Sequence, residues 1–168
     1  MENKYDALLL KNQLCFPIYL CSKEIIRRYT TMLNELNLTY TQYVVMMYFW
    51  EKERSNVKEL GDTLLLDSST LTPLLKKLEG KGYITRERSK IDERNLEIVI
   101  TNDGKKLKER ALSIPKKIGE CINLTEEEAK TLYELVYKVL INVEKENNNV
   151  WYYYNWSRTC WTYCCYLC

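Results

Sequence analysis

Histidine is absent from this chain, and that gap removes a large block of chemistry. Without imidazole there is no histidine general base, no histidine metal ligand and no Ser-His or Cys-His nucleophile pair. Glycine and proline are scarce, at 5 and 3 of 168 residues, which favours helices joined by short connections. No strong excess of one charge exists either. Lys+Arg 25 against Asp+Glu 23 leaves a net charge of +2, so any face for nucleic acid must be a local patch. The longest apolar run, Tyr43 to Trp50, falls far short of the about 20 residues that cross a bilayer. The N-terminus opens with mixed charges in place of an apolar leader. A cytoplasmic protein with no membrane partner is the expectation.

What is present is enough for one domain with a proper core, and 29% charged residues of both signs mark a globular chain. The 7 cysteines are unevenly spread: Cys15, Cys21 and Cys121 lie in the body, while Cys160, Cys164, Cys165 and Cys168 crowd the end. Scattered cysteines in a cytosolic body argue against a disulfide framework. Neither a metal site nor a cofactor is expected.

The stretch that organises the rest is Asp67 to Glu79. Ser68 can cap a helix there. Leu71, Leu74, Leu75 and Leu78 recur at helical spacing and make one apolar face, leaving Ser69, Thr70, Thr72, Lys76 and Lys77 elsewhere. Short hydroxyls reach base edges or phosphates, and lysines neutralise phosphates. Alone, this pattern also fits an ordinary amphipathic helix with a solvated face. Pro73 is tolerable if it falls within the first turn.

Its neighbours decide between those two readings. Residues 8–35 form a long first helix with broad apolar coverage (Leu14, Ile18, Leu20, Ile25, Ile26, Tyr29, Met32, Leu33), with Pro17 predicting a kink or a late start. Such coverage exceeds one monomer face and suggests burial or a subunit interface. Thr39 with Gln42 reads as a capping box opening a second helix to about Lys52, central because Tyr43 to Trp50 is apolar all round. Asn56 with Glu59 opens a short third helix, Val57 to Leu64. Followed by the Ser68 helix, it makes a helix-turn-helix pattern.

Gly80 and Gly82 end that helix, and the period then changes from about 3.6 to 2. Tyr83 to Arg88 and Asn95 to Ile100 are predicted strands joined by the charged loop Ser89 to Arg94, which makes a wing. Arg86, Arg88, Lys90, Asp92 and Arg94 cluster beside the candidate recognition helix. An arginine at a hairpin tip suits a narrow minor groove. Thr101 caps a fifth helix, Asn102 to about Ile114, ended near Pro115. Thr125 with Glu128 opens a last helix to about Lys145, striped by Leu132, Leu135, Val136, Val139, Leu140 and Val143. From Val150 the composition turns aromatic and cysteine-rich with one charge. That tail reads as a non-native extension, an interfacial anchor or a poorly spaced metal tail, and is set aside from the fold.

The expected fold class is therefore mainly α (α+β), a winged helix-turn-helix with N- and C-terminal dimerisation helices. Its domain is residues 1–149, with a DNA-binding core at about 55–100, dimerisation helices at about 8–35 and 102–147, and the tail at 150–168.

With these pieces in place the chain resembles the MarR family of dimeric bacterial regulators, in its organic hydroperoxide sensor subgroup. The resemblance covers roughly residues 8–145. It rests on Gln13-Leu14-Cys15-Phe16, on Leu38 to Tyr43, on Leu66 to Glu79 and on Asp92-Glu93-Arg94-Asn95. The Asp-x-Arg signature alone would indicate only the wider family. Ser69 stands where the subgroup is expected to carry Gly.

The resemblance implies a redox-sensing Cys15 whose sulfur is bonded by the hydroxyls of Tyr29 and Tyr40, with Cys121 as a possible resolving thiol and Cys21 structural. A thiolate is the nucleophile toward a peroxide, and phenolic donors can stabilise it without histidine. Phe16, Tyr19 and the Tyr43 to Trp50 helix would give the apolar surround that favours organic peroxides. The plainer alternative for Cys15 is a small buried hydrophobe. The implied function is a homodimeric repressor, not an enzyme, bound to a pseudo-palindromic operator in double-stranded DNA and released by organic hydroperoxides. The alternative is a regulator of the same fold answering a small aromatic ligand or general thiol oxidation.

Overall fold

The computed structural model describes residues 4–88 and 96–144. Its first long helix, α1, is Cys15–Leu33, so it starts later than residue 8. Two 3-10 turns, Asp6–Leu8 and Leu10–Asn12, precede it. Pro17 is the third residue of α1, where its missing N–H would have had no helical acceptor, so proline marks the start and no kink is needed.

A further 3-10 turn, Asn34–Leu36, and a left-handed Asn37 (φ 54°) turn the chain into α2, Tyr40–Lys52. The capping box is formed: Thr39 Oγ1 accepts from Gln42 N (3.3 Å) and Gln42 Oε1 accepts from Thr39 N (3.2 Å). Tyr43, Val45, Met46, Tyr48 and Phe49 are buried, which makes α2 the centre of the molecule.

Then come β1 (Arg54–Asn56), α3 (Val57–Leu64) and α4 (Ser68–Gly80). They are followed by β2 (Ile84–Arg88) and β3 (Leu96–Ile100), in an antiparallel sheet of order β1-β3-β2. The strand β1 was not expected, because three residues carry no usable period. It pairs Ser55 with Ile98 while Arg86 pairs with Ile98 from the other side. Tyr48 donates to Ser55 Oγ (2.9 Å), and Ser55 donates to Glu59 Oε2 (2.9 Å), which pins β1 between α2 and α3.

The expected single helix from Asn102 is two, α5 (Asn102–Ala111) and α6 (Ser113–Ile122). Pro115 does not end a helix; it is the third residue of α6, again in a first turn. Thr101 caps α5 through Gly104 N (3.0 Å), and Thr125 with Glu128 opens α7 (Glu126–Glu144). At Gly104 the start of α5 presses onto the sheet. A Cβ there would lie 2.2 Å from the Tyr83 carbonyl oxygen and 2.8 Å from Ile100 Cγ1.

One core joins α1 to the winged helix: Leu33, Leu36, Met46, Phe49, Leu60, Leu75, Leu78, Ile98 and Leu107 are all buried in it. The flanking helices stand apart. The face of α1 exposes Ile18, Tyr19, Leu20 and Ile26, and no described side chain of α7 is buried.

Candidate nucleic-acid interface and thiol site

The helix-turn-helix is set by a tight turn. Leu65 is left-handed (φ 50°), and Leu66 N donates to Gly61 O (3.0 Å). A Cβ on Gly61 would meet the Leu66 carbonyl oxygen at 2.8 Å, so a side chain there would push α3 and α4 apart. The apolar face of α4 is the one expected: Leu71, Leu74, Leu75 and Leu78 are buried.

The cap of α4 differs from expectation. Asp67, not Ser68, is the N-cap: its carboxylate accepts from Thr70 N (2.7 Å) and from the Ser69 hydroxyl (2.5 Å). Those two bonds, the serine's first, hold the Asp67 carboxyl below its ordinary range. Aspartate and serine rank almost equally as caps, so sequence could not separate the neighbours. Pro73 is the sixth residue of α4, beyond the first turn, so the backbone bond to Ser69 O is forgone. The helix nevertheless continues, held by its four buried leucines.

On the outer face Ser68, Thr70, Lys76 and Lys77 are exposed. Ser69 donates its hydroxyl to the cap, and Thr72 donates to Ser68 O (2.8 Å), so each can offer a ligand only an accepting oxygen while that bond lasts. Arg88 is exposed on β2. Arg86 is committed within the chain: its guanidinium donates to Glu79 Oε2, through Nε at 2.9 Å and also through Nη2. The bonded guanidinium holds the Glu79 carboxyl below its usual range. Arg86 therefore braces β2 against α4. Lys90, Asp92 and Arg94 lie outside the described residues.

The thiol side is more instructive. Cys15 is exposed in the first turn of α1. Tyr29 and Tyr40 pack together with ring centroids 5.0 Å apart, and Tyr43 joins them at 5.9 Å from Tyr29. Burial raises the Tyr40 hydroxyl above its ordinary value, and burial with Tyr40 beside it pushes Tyr43 up to about 12. Both phenols therefore keep their protons at neutral pH. The tyrosine pair and Cys15, however, do not meet within one chain. Tyr29 is fourteen residues along the same helix from Cys15. At about 1.5 Å per residue that is about 21 Å. The predicted trio is therefore split into a thiol and a tyrosine pair at opposite ends of α1.

Cys21 is also exposed on α1, and Cys121 is exposed in the last turn of α6, before α7. Among the described residues no group of three His, Cys, Asp or Glu could hold a metal ion, and no helix is long and apolar enough to cross a membrane.

Comparison with known proteins places this arrangement. The family described as transcriptional regulator SarA/Rot matches residues 27–111. The organic hydroperoxide resistance transcriptional regulator of Bacillus subtilis is 44% identical over 147 residues, 88% of this chain and 100% of that protein. The HTH-type transcriptional regulator SarZ of Staphylococcus aureus is 48% identical over 132 residues, 79% of this chain and 86% of its own. Among solved structures, AbfR of Staphylococcus epidermidis superposes with a TM-score of 0.70 at 34% identity, covering 84% of this chain and 98% of that one. AbfR has also been solved reduced on DNA, overoxidised on DNA and in a disulfide form. The chain belongs to the MarR family of winged-helix transcriptional regulators, in the branch that includes the organic hydroperoxide regulators, and not to a family of enzymes.

Proposed function

We propose that this protein is a homodimeric repressor that leaves its operator when an organic hydroperoxide oxidises Cys15. The observation that carries the reading is the separation just described: the thiol and its candidate donors sit at opposite ends of a helix that exposes Ile18, Tyr19, Leu20 and Ile26. Two copies of α1 crossing antiparallel near Ser22 would bring Cys15 level with the partner subunit's Tyr29, and hence close to the partner subunit's Tyr40. The same pairing would cover Ile18 and Tyr19, and α7 would bury its stripe in the same dimer.

The chemistry then follows from the donors. Phenolic O–H groups favour the thiolate of Cys15 over the thiol. The thiolate sulfur attacks one peroxide oxygen, an S–O bond forms as the O–O bond breaks, and the alkoxide leaves and takes up a proton to become an alcohol. Sulfur has lost two electrons and the peroxide has gained them. The resulting sulfenic acid condenses with a second thiol, either a small cellular thiol or Cys121, giving a disulfide and water. That AbfR is known in reduced and disulfide forms supports a thiol switch.

In the reduced dimer each α4 enters a major groove of a pseudo-palindromic operator, with Ser68, Thr70, Lys76 and Lys77 toward the DNA, and each wing carries Arg94 to the flanking minor groove. The spacing of two recognition helices must match about one DNA turn, so a modest rearrangement of α1 abolishes binding. Work on chromosomal DNA places the protein in the cytoplasm.

The test is a gel shift on DNA upstream of its own gene, before and after one equivalent of an organic hydroperoxide, with wild type and Cys15→Ser. Wild type alone should be released. Release of both would remove Cys15 from the sensor role. The run of Tyr29, Tyr40, Tyr43 and Trp50 rings favours a second reading, an aromatic effector. Release by a phenol with Cys15 still reduced would select it.

A further inference from the structure

The end of the recognition helix is bonded to the turn that leads into Tyr40. Lys81 follows α4 directly, and its backbone N–H closes the helix on Lys77 O (3.1 Å). Its ammonium does not stay beside the helix's own last carbonyls, where a C-terminal cation would ordinarily sit. It reaches across to donate to the Asn37 carbonyl oxygen and to Gln42 Oε1 (3.0 Å), 44 and 39 residues away in sequence.

The acceptors lie on either side of the α2 N-cap, Asn37 in the turn between α1 and α2 and Gln42 in the first turn of α2. Asn37 is the left-handed residue at that turn. Gln42 is only 3% exposed, and the same Oε1 closes the capping box with Thr39 N. Tyr40, the first residue of α2, lies between Thr39 and Gln42 and packs on Tyr29. The ammonium has surrendered water to reach these acceptors: desolvation first, with Lys77 second, lowers it from its ordinary value. A residue needed only to end α4 would not require this, because Gly82 (φ +76°) and the Tyr83 N to Leu78 O bond (3.1 Å) already stop the helix.

We infer that Lys81 is a positioning residue that ties the C-terminal end of the recognition helix to the 37–42 segment, so that displacement of Tyr40 moves α4 within the same chain. This rests on the proposed pairing of Tyr40 with an oxidisable Cys15 of the partner subunit. Its mechanical content is local. When Tyr40 loses its thiolate partner, the first turn of α2 is freed to shift, and the Gln42 amide and Asn37 carbonyl carry the ammonium and the end of α4 with them.

The experiment compares wild type, Lys81→Met and Lys81→Arg. Methionine keeps the apolar stem and removes the donors; arginine keeps a cationic donor. Operator affinity is measured by fluorescence anisotropy for reduced and peroxide-treated protein at two salt concentrations, with Cys15 oxidation followed by intact mass and folding by thermal melting. Lys81→Met should oxidise like wild type and melt cooperatively, while its ratio of reduced to oxidised affinity shrinks about tenfold. Lys81→Arg should restore most of the ratio. An unchanged ratio in Lys81→Met overturns the tether. So does equal weakening of both states with the salt slope reduced by about one per site, because that marks a plain phosphate contact. Wild type that stays on DNA with Cys15 oxidised overturns the sensor reading beneath it, an outcome distinct from a released wild type with a released Lys81→Met.

Discussion

The winged helix and the two flanking helices treat their apolar residues in opposite ways. In α4 all four leucines of the stripe are buried against the rest of the same chain. In α7 the equivalent stripe is open, with Leu135 55% and Val143 75% exposed. The winged helix completes its core within one polypeptide; the outer faces of α1 and α7 stay open. A 19-residue helix with no fully buried residue among those described has little to hold it beyond local propensity. In the proposed dimer, thiol chemistry and DNA spacing would depend on a second copy of the chain, while the fold of the recognition surface would not.

Charging the open stripe of α7 should have the largest effect. Leu135→Asp with Val139→Asp should leave the winged helix folded but monomeric, because neither side chain belongs to the described core. Losing the second half-site should weaken operator binding by 100-fold or more, the usual scale of linked binding. Sedimentation velocity with an affinity measurement reads both. A dimer that survives the two aspartates would move the interface elsewhere.

The converse change strikes the self-sufficient half. Gly104→Ala places a methyl where the Tyr83 carbonyl oxygen already stands, at 2.2 Å, with Ile100 behind it. Backbone cannot yield there without separating α5 from β2. The loss should be about 3 kcal/mol, the upper part of the range for overpacking, seen as a lower midpoint in chemical denaturation. A wild-type midpoint would show that α5 is not seated on the sheet as described.

The two halves were also unequally legible in the sequence. Caps such as Thr39 with Gln42, Asn56 with Glu59 and Thr125 with Glu128 were readable because they are closed by residues three apart. The leucine stripe of α4 and the two wing strands followed from period alone. The failures share a cause. In sequence Pro115 reads as a stop, yet it lies in a first turn, and the break at Leu112 carries no glycine or proline to announce it. The strand β1 exists only because Val99, Ile98 and Glu97 lie opposite it. In sequence Arg86 reads as a free cation; the turn between α4 and β2 brings its partner Glu79 alongside. For the thiol site the residue types were named, but whether Cys15 could touch Tyr29 is a question of helix length. Only a continuous α1 answers it.

The smallest expected effect sharpens the boundary of the winged helix. The Asp67 carboxyl is held below its ordinary range by the Ser69 hydroxyl and the Thr70 amide. A group with a depressed folded value stabilises the native state fully above its unfolded value, about 4 for aspartate, and loses that contribution as pH falls through the folded value. At neutral pH the cap is thus complete, and operator binding should not respond to mild acidification on its account. Below about pH 4 the first turn of α4 should loosen, and Ser69 and Thr70 should leave their bonded positions before the buried leucines move. Amide exchange at Thr70, followed from pH 6 to pH 3 and corrected for intrinsic rates, should show protection falling in wild type. In Asp67→Ala, which has no carboxylate to titrate, it should start low and stay flat. A parallel decline in both proteins would place the acid-sensitive group elsewhere and leave the helix cap out of the stability of the DNA-facing surface.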